Sequence, residues 1–358
     1  MKKLFIIDKK NKNFYSRYLI NISNTFKNSS KIQFNENKIS EKFLKKFDVV
    51  IFNFLPEKVL NFLDKQNIVK ILINSKDHGN KYIDILINPK KKSDKKENYQ
   101  NYNSINYNFI NSSEVISTIN IITILKWDTK FWGIKIGYVS SRFLTKNIIY
   151  RINQFVKKNS VVMVQFLSDF NDQQTIYLAE KNNFSFKDIR VTLEKKITSP
   201  FYLNKKNFKY RIANNNDLPK IKDIVKDLYL DSRYNFDLNF KKSKINQFYY
   251  GWVKKSINGS FDNFCYLVLK KKEIIGFCTI KLIEKSVGKI GLFGVKKNFQ
   301  GMGAANALLK YIESKLFVNN VKKLIVITQG RNNIAQRAYQ KNRFFNIATE
   351  IWYHKWYN

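Results

Sequence analysis

A glycine-rich turn is the part of this sequence best suited to hold a charged ligand. Residues 300–303 read Gln-Gly-Met-Gly, follow an apolar run that ends at Val295, and lead into a helical pattern. Gly301 and Gly303 carry no side chain, so main-chain N–H groups can approach a ligand closely, and the helix adds the positive end of its dipole. The pattern predicts a strand, turn and helix that hold a pyrophosphate. The apolar residues that share one face of this helix are Ala304, Leu308 and Ile312.

A plain tight turn is the alternative, because glycine also serves wherever the backbone needs a positive φ. On these residues alone both interpretations stay open. The spacing excludes other phosphate-binding loops, since Ala304 and Ala305 stand where a nucleotide-hydrolysing loop has lysine and Ser/Thr. A third glycine is also missing at the place where a dinucleotide-binding loop needs one after Gly303.

A tyrosine in a later helix is the second candidate for chemistry. Asn332 can cap that helix, and Tyr339 follows seven residues later, about two turns on, so both fall on one face. Ala335 lies between them and leaves room for a ligand arm. A tyrosine in this position can also be an ordinary residue at the edge of the core.

Both motifs resemble those of the GNAT N-acetyltransferase superfamily. Gln300, Gly303 and Ala305 match its Gln/Arg-x-x-Gly-x-Gly/Ala signature, and residues 332–339 match its Asn-x-x-Ala-x-x-x-Tyr motif. The resemblance implies that the turn binds the pyrophosphate of acetyl-CoA and that the Tyr339 hydroxyl acts as general acid for the departing thiolate. The acetyl-CoA contacts that it implies are Phe293, Gly294, Val295, Gln300, Gly301, Met302, Gly303, Ala304, Ala305, Asn332 and Ala335.

Two positions depart from the superfamily pattern. Arg343 stands in place of the usual glycine before Phe344, and Lys297 in place of the usual proline after Val295. Because a residue other than glycine is strained in the left-handed conformation that ends many helices, we expect Asn342 to take part of that role.

A tryptophan-rich segment at residues 125–137 carries a third signal. Its residue types suit a strand with buried aromatic side chains. It also resembles the Trp-Asp-x-x-Phe-Phe-Gly segment of the TDP-fucosamine acetyltransferases, which N-acetylate TDP-4-amino-4,6-dideoxygalactose. Residues 232–237, Thr328-Gln329 and residues 352–356 extend this resemblance, which covers the chain from about Thr123 onward. The acceptor contacts that it implies are Trp127, Asp128, Phe131, Ser232, Arg233, Tyr234 and Gln329. For Arg233 a surface ion pair with Asp237 is the alternative.

The first third of the chain alternates between strand and helix patterns. The predicted elements are strands at Leu4–Ile7, Val49–Phe54, Val69–Ile73 and Ile83–Ile87, and helices at Tyr15–Phe26 and Glu57–Asp64. This order predicts a parallel, Rossmann-like α/β domain over residues 1–116. The region is similar to the N-terminal half of the UDP-sugar hydrolase of pseudaminic acid synthesis. Asn13 and Phe14 replace the catalytic Gly-His pair of that family, which implies a structural or substrate-presenting role. The lysine- and asparagine-rich residues 90–103 predict a solvated loop.

Two further domains are predicted after it, and together they give an α/β fold class. A truncated GNAT-like half-domain covers residues 121–200. A GNAT acetyltransferase domain, with a mixed, mostly antiparallel sheet flanked by helices, covers residues 207–358. The predicted elements of both are strands at Val161–Leu167, Ile189–Glu194, Cys265–Leu269 and Ile274–Leu282, and helices at Thr175–Lys181, Asn216 or Asp217 to Leu230, and Ser243–Ile257.

The composition limits the partners. The 65 basic and 27 acidic residues give a net charge of +38, but the lysines are spread along the chain and no arginine cluster or zinc-finger spacing occurs. We therefore expect no nucleic-acid partner and no metal site, and the positive field favours acidic ligands such as CoA and sugar nucleotides. Cys265 and Cys278 suit buried positions in strands. Because no run of eighteen apolar residues occurs, we expect a cytoplasmic protein without a transmembrane segment, and a homodimer is compatible with the sequence.

These expectations combine into one function. The chain is predicted to transfer an acetyl group from acetyl-CoA to the amine of an amino sugar, specifically a nucleotide-linked 4-amino-4,6-dideoxyhexose, in surface polysaccharide synthesis. Direct attack is expected, because no cysteine lies in the site motifs. Residues 290–295 contain no carboxylate, so a water chain or deprotonation in bulk solvent is the default, with Glu284 as a remote candidate base. The alternatives are acetylation of a protein or another small amine, and an inactive basic binding module.

Overall fold

The protein is described from a computed structural model, which describes residues 2–7, 19, 22–24, 26, 29–33, 40–53, 55, 57–73, 84–89, 106–109, 120–198, 207–226 and 228–357. The chain forms two compact units. The first comprises residues 1–185 and 353–358, and the second residues 186–352. Within the described ranges no helix is both long enough and apolar enough to cross a membrane.

The first unit contains a six-stranded parallel sheet in the order β2-β1-β3-β4-β5-β6. Its strands are β1 (Lys3–Ile7), β2 (Ser30–Gln33), β3 (Val49–Phe52), β4 (Val69–Ile73), β5 (Ile85–Pro89) and β6 (Asn106–Phe109), and its helices are α1 (Glu41–Leu44) and α2 (Glu57–Lys65). The predicted parallel α/β architecture is confirmed, and the apolar runs are buried because both faces of such a sheet are covered. The predictions for most of Tyr15–Phe26, for Asn13-Phe14 and for residues 90–103 lie outside the described residues.

The remainder of the first unit begins at residue 120. It contains β7 (Ile122–Ile124), α3 (Lys126–Trp132), β8 (Ile136–Val139), α4 (Lys146–Asn159), β9 (Met163–Asp169) and α5 (Gln173–Lys181). Strand β7 is antiparallel to β8, and β8 is parallel to β9. The strand suggested for the tryptophan-rich segment is wrong, since its first half forms α3. That helix ends at Gly133, whose φ of 77° lets its N–H donate back to the Thr129 carbonyl.

A buried ionic cluster joins the parallel sheet to α4 within the first unit. Lys70 has 0% of its surface exposed, and its ammonium lies 2.8 Å from carboxylate oxygens of both Asp64 and Asp84. The Thr145 hydroxyl donates to Asp84, and the Asn147 amide donates to Asp64 at 2.9 Å. The carboxylates that neutralise Lys70 in the predicted domain of residues 1–116 therefore also accept hydrogen bonds from the predicted domain of residues 121–200.

The second unit has a mixed sheet in the order β11-β12-β13-β14-β15-β10, followed by β16. The pair β14–β15 is parallel, whereas β11–β12, β12–β13, β13–β14 and β10–β15 are antiparallel, as predicted. The elements are β10 (Ser185–Lys196), β11 (Lys209–Ile212), α6 (Leu218–Val225), α7 (Lys242–Ile257), β12 (Phe264–Lys270), β13 (Glu273–Glu284), β14 (Val287–Val295), α8 (Ala304–Val318), β15 (Lys323–Gln329), α9 (Asn333–Lys341) and β16 (Phe345–Trp356). Of these, Ser185 and the end of β16 from residue 353 are counted in the first unit.

Helix α8 covers the core of this sheet with the face that its sequence predicts. Ala304, Leu308 and Ile312 are all buried there together with the Cys278 thiol, and Cys265 is buried as well but outside this cluster. Burial of these apolar side chains is the main stabilising term for the helix, because its face is removed from water along its whole length.

Helix α6 differs from its prediction at both ends. It stops at Val225 instead of Leu230, because Lys226 leaves the helical conformation with φ −55° and ψ 123°. Asp217 stands at the N-cap position as predicted but makes no side-chain hydrogen bond to the helix, and Asn216 lies in the preceding 3-10 turn. Asn214 begins a preceding 3-10 turn by accepting the N–H of Asn216 at 3.0 Å, and the Asp217 carboxylate is held by the Arg211 guanidinium at 2.6 Å.

The end of α9 corrects a second expectation. Arg343 takes the left-handed conformation with φ 62°, whereas Asn342 stays at φ −92°. Two hydrogen bonds explain why, since the N–H groups of Phe344 and Arg343 donate to the carbonyls of Tyr339 and Gln340 at 3.1 and 2.9 Å. This is a Schellman ending, and its position fixes the left-handed residue as the one after Asn342.

We expect Arg343→Gly to raise the free energy of unfolding by about 1 kcal/mol, because glycine adopts the left-handed conformation without the Cβ clash. Urea denaturation of the purified protein measures the change. Arg337→Gly, at an exposed position inside α9, is the matched control and should lower stability by about 1 kcal/mol. Equal losses in both variants would contradict the assigned strain at Arg343.

Candidate active site

Strands β14 and β15 are paired over only part of their length and then separate. Their parallel ladder ends at the pair Ile290 and Val326, although β14 continues to Val295 and β15 to Gln329. On its other side β14 is held by β13 through an irregular register, where the Leu292 N–H donates to the Thr279 hydroxyl at 2.8 Å. Main-chain groups of β14 therefore face an opening instead of a neighbouring strand.

A cavity of about 700 Å³ lies at this opening, and every residue that lines it belongs to the second unit. Its size is within the range of small-molecule sites. The aromatic residues in its wall are Tyr229, Tyr249, Trp252, Phe261, Phe293, Tyr339 and Trp352. The charged residues in its wall are Asp188, Arg190, Arg233, Asp262, Lys281 and Lys289. The cavity thus combines apolar surface with charges of both signs.

The glycine-rich turn has the backbone that its sequence predicts. Gly301 and Gly303 adopt φ values of 77° and 83°, and a Cβ atom built on either would meet no other atom within 4 Å. The Gln300 amide donates to the Val295 carbonyl at 3.1 Å and so ties the turn to the end of β14. Space is therefore open above the amides at the start of α8. Binding of a pyrophosphate there, by residues 300–305, remains a prediction.

The second motif lies at the cavity. Asn332 caps α9 by accepting the Ala335 N–H at 3.0 Å, and Phe293, Asn332, Ala335 and Tyr339 all line the wall. Tyr339 is 5% exposed, and its ring centroid lies 6.3 Å from that of Phe293 on β14. Burial is the main cause that raises the pKa of Tyr339 above its usual value, so the phenol keeps its proton.

The predicted acceptor residues of the second unit occupy different depths. Arg233 and Gln329 line the cavity, while Ser232 and Tyr234 are buried. The Arg233 guanidinium lies over the rings of Trp352 and Tyr234 at 4.2 and 4.5 Å, and donates to the Tyr234 hydroxyl at 3.0 Å. This stacking presents a fixed cation to the cavity.

The remaining acceptor predictions have separate outcomes. Asp237 is only 1% exposed, so an ion pair between it and Arg233 would be buried instead of lying at the surface, and the pair itself remains a prediction. Trp127, Asp128 and Phe131 lie on α3 in the first unit, and a contact between them and an acceptor remains a prediction.

The sequence analysis missed two buried carboxylates in the cavity wall. Asp188 is 2% exposed, and burial raises its pKa to about 6, against the opposing charges of Arg331 and Arg233 and the Ile189 N–H. Asp262 is 4% exposed and accepts hydrogen bonds from α7. Neither lies in a recognisable motif, and neither is on β14, where a base was sought. Glu284 ends β13, and its side chain is outside the described part of the chain.

The shifted pKa of Asp188 predicts a pH-dependent stability. Its carboxyl group ionises near pH 6 in the folded state but near 3.8 otherwise, so the folded state binds the proton more tightly. The contribution of Asp188 to the free energy of unfolding should therefore fall as pH rises from about 4 to about 6, by on the order of 2 kcal/mol. Urea titrations of wild type and Asp188→Asn across this range measure the difference. A flat difference for Asp188→Asn would refute the shift.

The chain is similar to several solved structures of acetyltransferases. Solved structures similar to the chain include a GCN5-related N-acetyltransferase from Sphaerobacter thermophilus, with 14% identity, a TM-score of 0.49, and coverage of 66% of this chain and 76% of that one. A tandem GNAT protein from the clavulanic acid biosynthesis pathway has 6% identity, a TM-score of 0.44, and coverage of 68% and 87%. A PaiA N-acetyltransferase from Thermoplasma acidophilum, solved in complex with coenzyme A, has 16% identity, a TM-score of 0.35, and coverage of 42% and 99%.

Comparison with curated proteins finds no match. Residues 225–344 match the model of the acetyltransferase (GNAT) family. The matched range begins at the end of α6 and contains the parted strands, the glycine-rich turn, the capped helix α9 and Tyr339. The second unit therefore carries a GNAT acetyltransferase domain.

Proposed function

We propose that this protein transfers the acetyl group of acetyl-CoA to the amine of a nucleotide-linked amino sugar, a 4-amino-4,6-dideoxyhexose used in surface polysaccharide synthesis. The observation that carries the proposal is the opening between β14 and β15, which has Tyr339 in its wall and leads into a charged cavity. The family match of residues 225–344 supports acetyl transfer as the reaction class.

The acyl donor is assigned to the turn and the opening. The amides of Gly301 and Gly303 and the N-terminus of α8 would bind the pyrophosphate, since they combine open space with the positive end of a helix of 15 residues. The CoA arm would then pass Ala335, and the thioester oxygen would accept main-chain N–H groups of β14. Holding donor and acceptor together in this way is worth ~7 kcal/mol or more of the barrier.

Tyr339 is assigned as the general acid. Its phenol remains protonated at neutral pH because burial raises its pKa, so it can donate to sulfur as the C–S bond breaks. The same apolar surroundings disfavour a bare thiolate at that place, and this makes the proton transfer easier than it would be in water. No acyl-enzyme is involved, because the buried thiols of Cys265 and Cys278 do not line the cavity.

The acceptor is assigned from the charge of the cavity. Arg233, fixed against Trp352, and the neighbouring Arg190, Lys281 and Lys289 suit the diphosphate of a sugar nucleotide. The similarity of residues from about Thr123 onward to the TDP-fucosamine acetyltransferases supports the same choice. The cavity volume of about 700 Å³ also favours a small acceptor over a protein amine, which needs an extended groove.

The rest of the chain completes the proposal. We assign residues 1–116 to a non-catalytic domain related to the UDP-sugar hydrolase half, residues 121–200 to a truncated GNAT-like half-domain, and residues 207–358 to the transferase domain. The enzyme would act in the cytoplasm without a metal, and a homodimer is compatible with this assignment.

Replacing Gly303 with valine should abolish acetyl-CoA binding, because the added side chain enters the open space above the amides and strains the left-handed backbone. Isothermal titration calorimetry with acetyl-CoA measures the affinity. Gly259→Val is the matched control, since Gly259 also has positive φ, 71°, and open space around its Cβ position. Normal affinity in Gly303→Val would overturn the pyrophosphate assignment.

Replacing Tyr339 with phenylalanine should lower kcat about 10²-fold or more while acetyl-CoA affinity stays within about threefold, because only the proton donor is lost. The assay uses acetyl-CoA and TDP-4-amino-4,6-dideoxygalactose. Tyr311→Phe, on α8 where the ring stacks on Tyr210, makes the same chemical change away from the cavity and should keep kcat. Unchanged turnover in Tyr339→Phe would remove this phenol from the mechanism.

A further inference from the structure

The carboxylate of Asp262 occupies the space that a side chain at Gly291 would fill. A Cβ atom built on Gly291 would lie 2.5 Å from Asp262 Oδ2 and 2.7 Å from Thr279 Oγ1. Gly291 is the first residue of β14 beyond the last pair of its ladder with β15. The glycine therefore lets a carboxylate from another element reach the start of the opening, on a strand that has no carboxylate of its own there.

Two neutral donors hold this carboxylate in a fixed orientation. Asp262 lies between α7 and β12, and its Oδ2 accepts the Trp252 Nε1–H at 3.2 Å and the Ser256 hydroxyl at 2.8 Å. Both of these hydrogen bonds reach Oδ2, which leaves Oδ1 to accept a proton or a hydrogen bond from a ligand. Asp262 also lines the cavity, so a bound molecule can contact it.

We propose that Asp262 is the general base that receives the proton of the acceptor amine, an inference that rests on the acetyl transfer proposed above. Phe293, the residue beside Tyr339, is two positions along the strand from Gly291, which is a rise of about 7 Å. An amine nitrogen between the two groups would lie ~3 Å from the carboxylate and ~3 Å from a thioester carbon beside Phe293. Together these distances nearly equal the rise along the strand.

Asp262, Tyr339 and water account for every proton that moves in the reaction. The acceptor ammonium gives one proton to Asp262, and the freed nitrogen pair forms the C–N bond while the C=O pair moves onto oxygen. When that pair returns, the C–S bond breaks and sulfur takes the Tyr339 proton. The second nitrogen proton passes through water to the Tyr339 phenolate, and Asp262 releases its proton to solvent. The products are the amide, CoA thiol and one proton.

Asp188, the other buried carboxylate of the cavity, is less suited to this task. Burial raises the pKa of Asp188 to about 6 although the charges of Arg331 and Arg233 oppose the shift, and the Arg331 Nε lies 3.4 Å from its Oδ1. The Asp188 carboxylate is thus already engaged by a guanidinium group, whereas only neutral donors hold Asp262.

The other ionisable groups near Asp262 are the Asp188 carboxylate, two thiols and several cations; Asp188 lines the same cavity, and its pKa of about 6, raised by burial, leaves it largely ionised from pH 7 to 9.5. Burial first and then the Asp262 charge raise the pKa of Cys265 on β12 to about 12, and burial first, then Cys265 and Asp262, raise the pKa of Cys278 on β13. Both stay protonated. The remaining neighbours on α7 and β13, namely Trp252, Ser256 and Thr279, carry no charge, and the cations lining the same cavity are Arg190, Arg233, Lys281 and Lys289.

The test compares wild type with Asp262→Asn, which preserves the acceptor for Trp252 and Ser256 but cannot take a proton. With acetyl-CoA and TDP-4-amino-4,6-dideoxygalactose, kcat/KM should fall about 10²-fold at pH 7. The gap should narrow to about tenfold or less near pH 9.5, because a growing fraction of the amine arrives already deprotonated. Acetyl-CoA affinity should stay unchanged. A loss that is the same at every pH, or no loss, would overturn the proposal.

Three controls separate the base from a structural role. Ser256→Ala removes one anchor of the carboxylate and should give a loss that does not depend on pH, and Asp223→Asn makes the same chemical change on an exposed face of α6 and should change nothing. Gly291→Ala keeps the carboxylate but places a methyl group against it, and should lower turnover. Failure of Gly291→Ala to do so would contradict the placement of Asp262.

Hydrolysis of acetyl-CoA in the absence of any amine distinguishes the proposed acceptor from the proposed base. Slow hydrolysis of acetyl-CoA by water in the cavity needs the same base, so Asp262→Asn should reduce it about tenfold or more. If wild type hydrolyses acetyl-CoA with this dependence but does not acetylate the sugar nucleotide, the proposed acceptor fails and Asp262 stands. If the sugar nucleotide is acetylated and both rates survive Asp262→Asn, the base assignment fails and the acceptor stands.

Discussion

The parting of β14 from β15 is the constraint on which the rest of the site depends. Backbone N–H and C=O groups need partners, and a parallel ladder normally supplies them along the full length of two neighbouring strands. Here the ladder stops at Ile290 and Val326, so β14 beyond this point presents main-chain groups to a ligand. The irregular register with β13 and the Thr279 hydroxyl hold β14 in place without closing that edge.

Glycines allow other elements to approach the parted strand. At Gly291 the space of a side chain is taken by Asp262, and at Gly294 a Cβ atom would lie 2.4 Å from the Leu228 side chain. The strand can thus be enclosed by the segments that follow α6 and α7 while one edge stays open. Burial then shapes the chemistry, since it raises the pKa of Tyr339 and raises that of Asp188 to about 6.

The features that could be predicted from the sequence are those set by local rules. The turn at Gly301 and Gly303, the cap at Asn332 and the buried face of α8 each depend on residues a few positions apart, and each is found. The predictions that were wrong concern positions where two local signals compete. The Trp127 segment has strand-like residue types, but Gly133 completes a short helix, and the Schellman hydrogen bonds of α9 select Arg343 over Asn342.

The carboxylates of the cavity could not have been found in this way. Asp188 and Asp262 are far from β14 in sequence, and only the folding of β10 and of the segment after α7 brings them to its opening. No spacing rule connects Asp262 to Gly291, because Asp262 occupies space that is open only since glycine has no side chain. Residues 290–295 of β14 contain no carboxylate, so a base could not be predicted from the residues of that strand alone.

A crystal structure of the protein with CoA tests the central claim most directly. We expect pyrophosphate oxygens within hydrogen-bonding distance of the main-chain N–H groups of residues 301–305. We also expect the CoA thiol to lie between β14 and β15 and to face the Tyr339 hydroxyl. CoA bound elsewhere, or a thiol far from Tyr339 with that ring turned into the core, would contradict it.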